Sequence, residues 1–452
     1  MNTPICDFVR AYAEGDPVRM HMPGHKGRPL TGPEPLDLTE IGGADVLYRS
    51  RGIIRESEEN AASLFGAART VYSAEGSSLC IRAMLCLALL NAKEKGQPAR
   101  LLAGRNAHRT LMTAAALLDL EVDWLLPGPG EDPLSCGADA ETLENRLNGN
   151  TYMAVYLTSP DYLGRRADLR AAAEICRRHG APLLVDNAHG AYLKFLPEDG
   201  HPITLGADAC CDSAHKTLSC LTGAAYLHLS ESAPAGWAEQ AEQAMSLFAS
   251  TSPSYLILQS LDRMNAELAG DYPEWICRAA DRIRDIRETL SREDWQFIGD
   301  EPMKLTLDAA ARGYTGEELQ DILRRAGVEC EFADRRYLVL MPSAETAEEA
   351  WQRLLNTLRE IPQREPLKDM APALPAPERV LSVRESMLSP RETLPVEKAV
   401  GRVLADACVS CPPAVPVVIA GERITPAAAA CMAYYGVTEC SVVVTGLTGA
   451  GD

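Results

Sequence analysis

The chain has 452 residues, of which 46% are apolar and 24% charged; this is ordinary for a globular protein, and at about 150 residues per domain it allows two to four units. A net charge of −19 repels phosphate and excludes nucleic acid as the main partner. Apolar runs such as Ala83–Leu90 fall far short of the ~20 residues of a membrane span. With no charged-then-apolar leader at the start, the fourteen cysteines read as reduced thiols of a cytoplasmic protein.

The first segment, residues 1–59, holds "HMPGH", which places His21 and His25 at a zinc-like spacing for a helix. Pro23 and Gly24 between them prevent a regular helix, so no metal is expected. The run "ESEEN" (Glu56–Asn60) reads as a solvated helix face. From 60 to 265, short apolar runs alternate with helical stretches: "ARLLAG" leads to "RTLMTAAALLDL", "TYMAVYLTSP" to "DLRAAAEICRRHG", and "PLLVDNA", "ADACCDS" and "AAYLHLS" follow. Buried β runs bounded by turns and alternating with helices predict an α/β domain around a mostly parallel sheet. Ligands of such sheets collect at the carboxyl ends of the strands.

Residues 266–361 predict a smaller α+β unit. "MKLTLDAA" is strand-like, and "TGEELQDILRRAG" opens on a capping box, Thr315 with Glu318. "VECEFADRRYLVLMP" predicts a hairpin, and "TAEEAWQRLLNTLREI" a helix with its own box, Thr346 with Glu349. Five prolines between Pro362 and Pro377 mark 362–380 as an extended linker, and 381–452 form a third, C-terminal domain. "PGPGEDP" is a turn rather than a nucleotide loop, since no helix follows its glycines. Cys408 and Cys411 form a lone CxxC without zinc-ribbon partners and read as structural.

The strand ends carry the chemistry. "LLVDNAHG" closes an apolar run on Asp186, with His189 just beyond. "DSAHKTLSCLTG" follows the next run and holds Ser213, His215 and Lys216. Upstream, Gly76, Ser77 and Ser78 stand at a helix N-terminus, where free N–H groups and the dipole favour phosphate, and His108 stands between a strand and a helix. Taken singly, these are an N-cap, a turn carboxylate, core histidines and a surface lysine. Taken together they suit pyridoxal 5'-phosphate: a lysine for the imine with the aldehyde, an acid for the pyridine nitrogen, a flat side chain for the ring face and a cup for the phosphate.

On these residues the chain resembles the Orn/Lys/Arg decarboxylase family of basic amino acid decarboxylases. The matching stretches are "HMPGHKG", "AARTVYSAEGSS", "RNAHRT", "TSPDYLG", "LLVDNAHGAYL", "SAHKTL", "STSPSYLILQSLD" and "CPPAVPVVIAGERIT". The resemblance is to the short form, without an N-terminal receiver-like domain. It implies an aminotransferase-like (type I) pyridoxal phosphate fold and release of CO2 from arginine, lysine or ornithine, with a place in polyamine metabolism. It implies Lys216 as the Schiff-base lysine, Asp186 at the pyridine nitrogen, His108 on the ring, and His189 near the ring hydroxyl. Ser77, Ser78, Ser213 and His215 would then hold the phosphate. It also implies at least a homodimer, with Thr251 and Ser252 reaching a neighbouring subunit's phosphate.

The chain departs from the family at Glu75, where Asn is usual before the phosphate turn, at "GADVL" (Gly43–Leu47), and at Cys411–Ala414. These departures keep two alternatives open: another type I reaction such as transamination, and an inactive cofactor-binding homologue with a regulatory role.

Overall fold

The computed structural model describes residues 1–126, 139–368, 372, 376–411 and 415–444, with only the backbone described for Ser410 and Cys411. "PGPGEDP", Pro412–Ala414 and part of the proline-rich stretch lie outside the described residues. Its centre is a seven-stranded sheet of β1 (Arg69–Ser73), β2 (Arg100–Gly104), β3 (Glu121–Leu125), β4 (Ala154–Thr158), β5 (Leu183–Asp186), β6 (Ala209–Asp212) and β7 (Ala225–Leu229), in the order β1-β7-β6-β5-β4-β2-β3. Only β7 runs against its neighbours, so the sheet is mostly parallel, as predicted. Strands β1, β5, β6 and β7 are buried at every position. Helices cover both faces of such a sheet, which is why its strands read as unbroken apolar runs.

The helix Leu169–His179 shows how the connections form. Leu169, Ala172, Ala173, Ile175 and Cys176 make its buried stripe, and the Asp168 side chain accepts the Ala171 N–H as N-cap. Arg177, Arg178 and His179 fill the last turn, and Gly180 ends the helix in the left-handed conformation. Cations there complement the dipole, and glycine carries the positive φ without penalty.

The smaller unit is an antiparallel sheet of β8 (Phe297–Ile298), β9 (Leu305–Asp308), β10 (Phe332–Ala333) and β11 (Tyr337–Leu340), ordered β10-β11-β9-β8. The capping box of Thr315 and Glu318 forms as predicted. The one expected at Thr346 does not. The helix starts at Glu348 with Ala347 as N-cap, and the Thr346 hydroxyl instead accepts the Ser343 N–H at 3.0 Å. In the C-terminal region β12 (Arg391–Pro395) pairs with β15 (Glu439–Val443), and β13 (Cys408–Cys411) with β14 (Val415–Ile419). Among the described residues no helix is long and apolar enough to cross a membrane.

One expectation fails near the N-terminus. Residues Glu56–Asn60 lie on the helix Ile53–Phe65, but Ser57 and Glu58 are fully buried. Glu58 receives Arg69 Nη2 at 2.7 Å and the Tyr72 N–H at 3.0 Å; long-range partners override a polar local pattern. The boundaries placed at 59/60 and 265/266 fall inside the helices Ile53–Phe65 and Tyr255–Leu268. The first helix, Pro4–Glu14, packs on both. The departing "GADVL" has a structural use: the Asp45 carboxylate accepts the Gly52 N–H at 2.8 Å and the Ile54 N–H at 3.1 Å at the start of Ile53–Phe65.

Candidate active site

Five strand ends converge on one cavity of about 280 Å³. Strand β1 leads through Gly76 into the helix Ser77–Glu94, and β2 leads through Asn106 and His108 into the helix Arg109–Leu118. Strand β4 brings Thr158 and Tyr162, β5 brings Asp186 and His189, and β6 leads into the single turn Ala214–Thr217 that carries Lys216. All nine residues expected at the site, Gly76, Ser77, Ser78, His108, Asp186, His189, Ser213, His215 and Lys216, line this cavity.

At one end is a hydroxyl-rich cradle. The Ser213 hydroxyl donates to Ser77 Oγ at 2.8 Å, and Ser78 Oγ lies 3.1 Å from Thr110 Oγ1. Gly76 caps the helix with φ 72° and ψ 179°, a conformation essentially reserved for glycine, and its N–H donates to the Gly223 carbonyl at 2.7 Å. His215 donates from Nδ1 to the Ala224 carbonyl at 2.8 Å. Glu75 lines the cavity, but its Oε1 accepts the Ser250 N–H at 2.7 Å, so this oxygen is tied to the loop before helix Tyr255–Leu268. Thr251 and Ser252 sit exposed in that same loop and do not line the cavity.

Asp186 also lines the cavity. It is buried, accepts the Tyr156 hydroxyl at Oδ2 (3.1 Å) and the Ala188 N–H at Oδ1 (3.2 Å). Burial, with Asp186 beside it, raises the Tyr156 phenol far above its ordinary range and keeps it a donor. On the same cavity Lys216 Nζ stands 3.2 Å from His189 Nε2. Burial first, then the charges of Lys304 and Lys216, holds His189 well below the usual imidazole range. His108 takes up a fixed orientation as N-cap of Arg109–Leu118, its Nδ1 lying 2.8 Å from Thr110 Oγ1 and 3.3 Å from the Thr110 N–H. Asn106 Oδ1 and Thr158 Oγ1, both of residues lining the cavity, are buried without a partner among the described residues.

Behind the cavity the sequence reading missed a buried support. Asp212 accepts Asn187 Nδ2 at 2.6 Å and His201 Nε2 at 2.9 Å, and lies 3.4 Å from His228 Nε2. Burial alone would raise this carboxyl, but the two imidazoles bring it below the ordinary carboxylate range. Cys210 completes a cluster in which His201, Cys210 and Asp212 ligand atoms lie within 4.8 Å of one another. The two histidines four residues apart go elsewhere: His21 Nε2 meets the Tyr12 hydroxyl at 2.6 Å and His25 Nε2 meets Asp37 at 3.2 Å. Lys304 and Tyr162 were also missed, although a lysine opening the apolar run "KLTL" was a visible anomaly.

A lysine, an imidazole, an acid and a hydroxyl-rich helix N-terminus on one cavity suit a carbonyl compound with an anionic tail. Residues 3–304 match the family description "Orn/Lys/Arg decarboxylase, major domain", and 368–442 match its C-terminal domain. The chain belongs to the Orn/Lys/Arg decarboxylase family. It is a basic amino acid decarboxylase, as its sequence motifs imply. An arginine decarboxylase of Halalkalibacterium halodurans is 29% identical over 94% of this chain and 91% of its own length. One from Bacillus subtilis is 28% identical over 94% and 91%. The constitutive lysine decarboxylase of E. coli, at 18% identity, superposes on 98% of this chain and 82% of its own with a TM-score of 0.78. The fold of this decarboxylase is thus the aminotransferase-like type I fold expected from the sequence.

Proposed function

We propose that the protein is a pyridoxal 5'-phosphate-dependent decarboxylase whose substrate is arginine, releasing CO2 and the corresponding amine for polyamine synthesis. The observation that carries this reading is the Lys216–His189 contact of 3.2 Å on the cavity that a buried acid and a hydroxyl-rich helix N-terminus also line. The curated relatives named as arginine decarboxylases favour arginine over lysine and ornithine.

The residues fit the cofactor. Gly76, Ser77, Ser78, Ser213 and His215 would hold its phosphate, Asp186 its ring nitrogen, His108 its ring face and Lys216 its aldehyde carbon. The unpartnered Asn106 Oδ1 and Thr158 Oγ1 are free to bond a polar guest. When bound, the cofactor supplies an electron sink for the pair left on Cα as CO2 departs.

The chain's own groups do the rest. Asp186, buried and fixed by Tyr156, favours a positive charge opposite it and so strengthens that sink. His108, held by its cap bonds, keeps a flat group at one tilt. Each turnover takes up one proton, which Lys216 delivers to Cα, because burial and the cations around it leave His189 a poor proton store. Thr251 and Ser252 are assigned to the phosphate of a second subunit, which makes a homodimer the working unit.

A panel of arginine, lysine and ornithine, scored for CO2 and amine with and without added cofactor, tests the reading. Cofactor-dependent CO2 release fastest with arginine is expected. A keto acid product would establish transamination instead, and no turnover of any of the three would support the regulatory homologue.

A further inference from the structure

Lys304, on the segment entering β9, is 2% exposed, an unusual place for a lysine. Its Nζ lies 3.1 Å from the Tyr162 carbonyl, 3.3 Å from the Asp161 carbonyl and 3.4 Å from His189 Nδ1. Its stem packs on Gly164, where an added Cβ would come within 3.3 Å of Lys304 Cδ. Asp161 and Glu301, both buried, and Glu331 offset the burial that lowers this ammonium. The ring of Tyr162 packs edge-on against His189 at 5.4 Å. Lys304 therefore occupies a built niche directly behind the imidazole that faces Lys216.

An ammonium has three donors and no acceptor. With two carbonyls on it, the remaining direction makes His189 Nδ1 an acceptor, and a neutral ring then carries its proton on Nε2. We propose that Lys304 is a positioning residue that fixes His189 as the Nε2–H tautomer, so that a donor and not an acceptor faces the Lys216 nitrogen. An N–H aimed at an amine nitrogen pairs with its lone pair and favours the nucleophilic form; an acceptor there would favour the ammonium. The inference rests on the reading of Lys216 as the cofactor lysine, but the tautomer itself does not depend on it. Besides Lys304 and the Tyr162 phenol packed on its ring, the charged and titratable groups acting on His189 include Lys216, His108 and His215.

The test is ¹⁵N-histidine NMR of the full chain without cofactor. The proposal expects the His189 ring to show its proton on Nε2. A proton on Nδ1 would mean that Lys304 is the acceptor and every bond of the relay runs the other way, which overturns the proposal even if no variant folds. In Lys304→Met the tautomer should be lost and the rate constant for adduct formation with pyridoxal phosphate should fall about tenfold, the scale of one hydrogen bond. The acid limb of that rate should move to higher pH, because removing a cation makes His189 easier to protonate. Lys304→Arg, which keeps a charged donor, should retain the tautomer. An unchanged tautomer and rate in Lys304→Met would reject the role. If Lys216→Ala still decarboxylates, the functional reading fails while the tautomer result stands.

Discussion

Asp186 and Asp212 end adjacent strands and face different tasks. Asp186 lines the cavity, while Asp212 is fully buried beneath the lysine turn. In Asp186→Asn the Tyr156 hydroxyl keeps an acceptor, so the fold should survive. On the proposed function this removes the electrostatic partner of the cofactor ring, and kcat should fall at least ~100-fold, typical for removal of one preorganised charge contact; steady-state CO2 release measures it. Asp212→Asn should act on stability. It replaces a fully buried carboxylate that accepts Asn187 and His201, at a cost of about 3 kcal/mol, read from urea unfolding. Asp186 was legible because it closes an apolar run. Asp212 lies in the same stretch as Lys216 but has no local mark, since its meaning depends on His201 and His228, which only the fold brings to it.

Among the elements, the hydroxyl-rich cradle proposed for the phosphate depends on how β1 turns into Ser77–Glu94. A Cβ on Gly76 would meet nothing within 4 Å, so Gly76→Ala tests backbone conformation alone. The strained φ should cost about 1–3 kcal/mol and weaken cofactor binding, measured by fluorescence titration, whereas Ser77→Ala should lower affinity without that loss of stability. Strand ends and helix starts were readable because the parallel strands are buried on both faces and end where polarity returns. Where burial comes from distant partners, reading failed. Glu58 looked solvated within "ESEEN", yet Arg69 and the Tyr72 backbone claim it. Thr346 lay in a capping pattern, but its hydroxyl was taken by Ser343.

Across the whole molecule, the C-terminal region is bolted to the site through Arg105, three residues before His108. Its guanidinium makes a bidentate pair with Glu422, at 2.6 and 2.8 Å, and donates to the Pro416 and Val417 carbonyls while lying 5.4 Å from the Trp124 ring centroid. Arg105→Met or Glu422→Gln alone leaves a buried group without its partner and should cost about 3–5 kcal/mol. The double substitution should cost less than the sum, a coupling that a thermodynamic cycle reads directly. The "GERIT" stretch marked a family likeness in the sequence, but nothing local to it pointed to Arg105, so this link had to come from the fold.

On the proposed function, Lys216 forms the covalent link to pyridoxal phosphate. Borohydride reduction of the protein after incubation with pyridoxal phosphate, followed by peptide mass spectrometry, tests it most directly. A single pyridoxyl group on the peptide containing Lys216, absent from Lys216→Ala, is the predicted result. No adduct on that peptide, or an equal yield from Lys216→Ala, would contradict it.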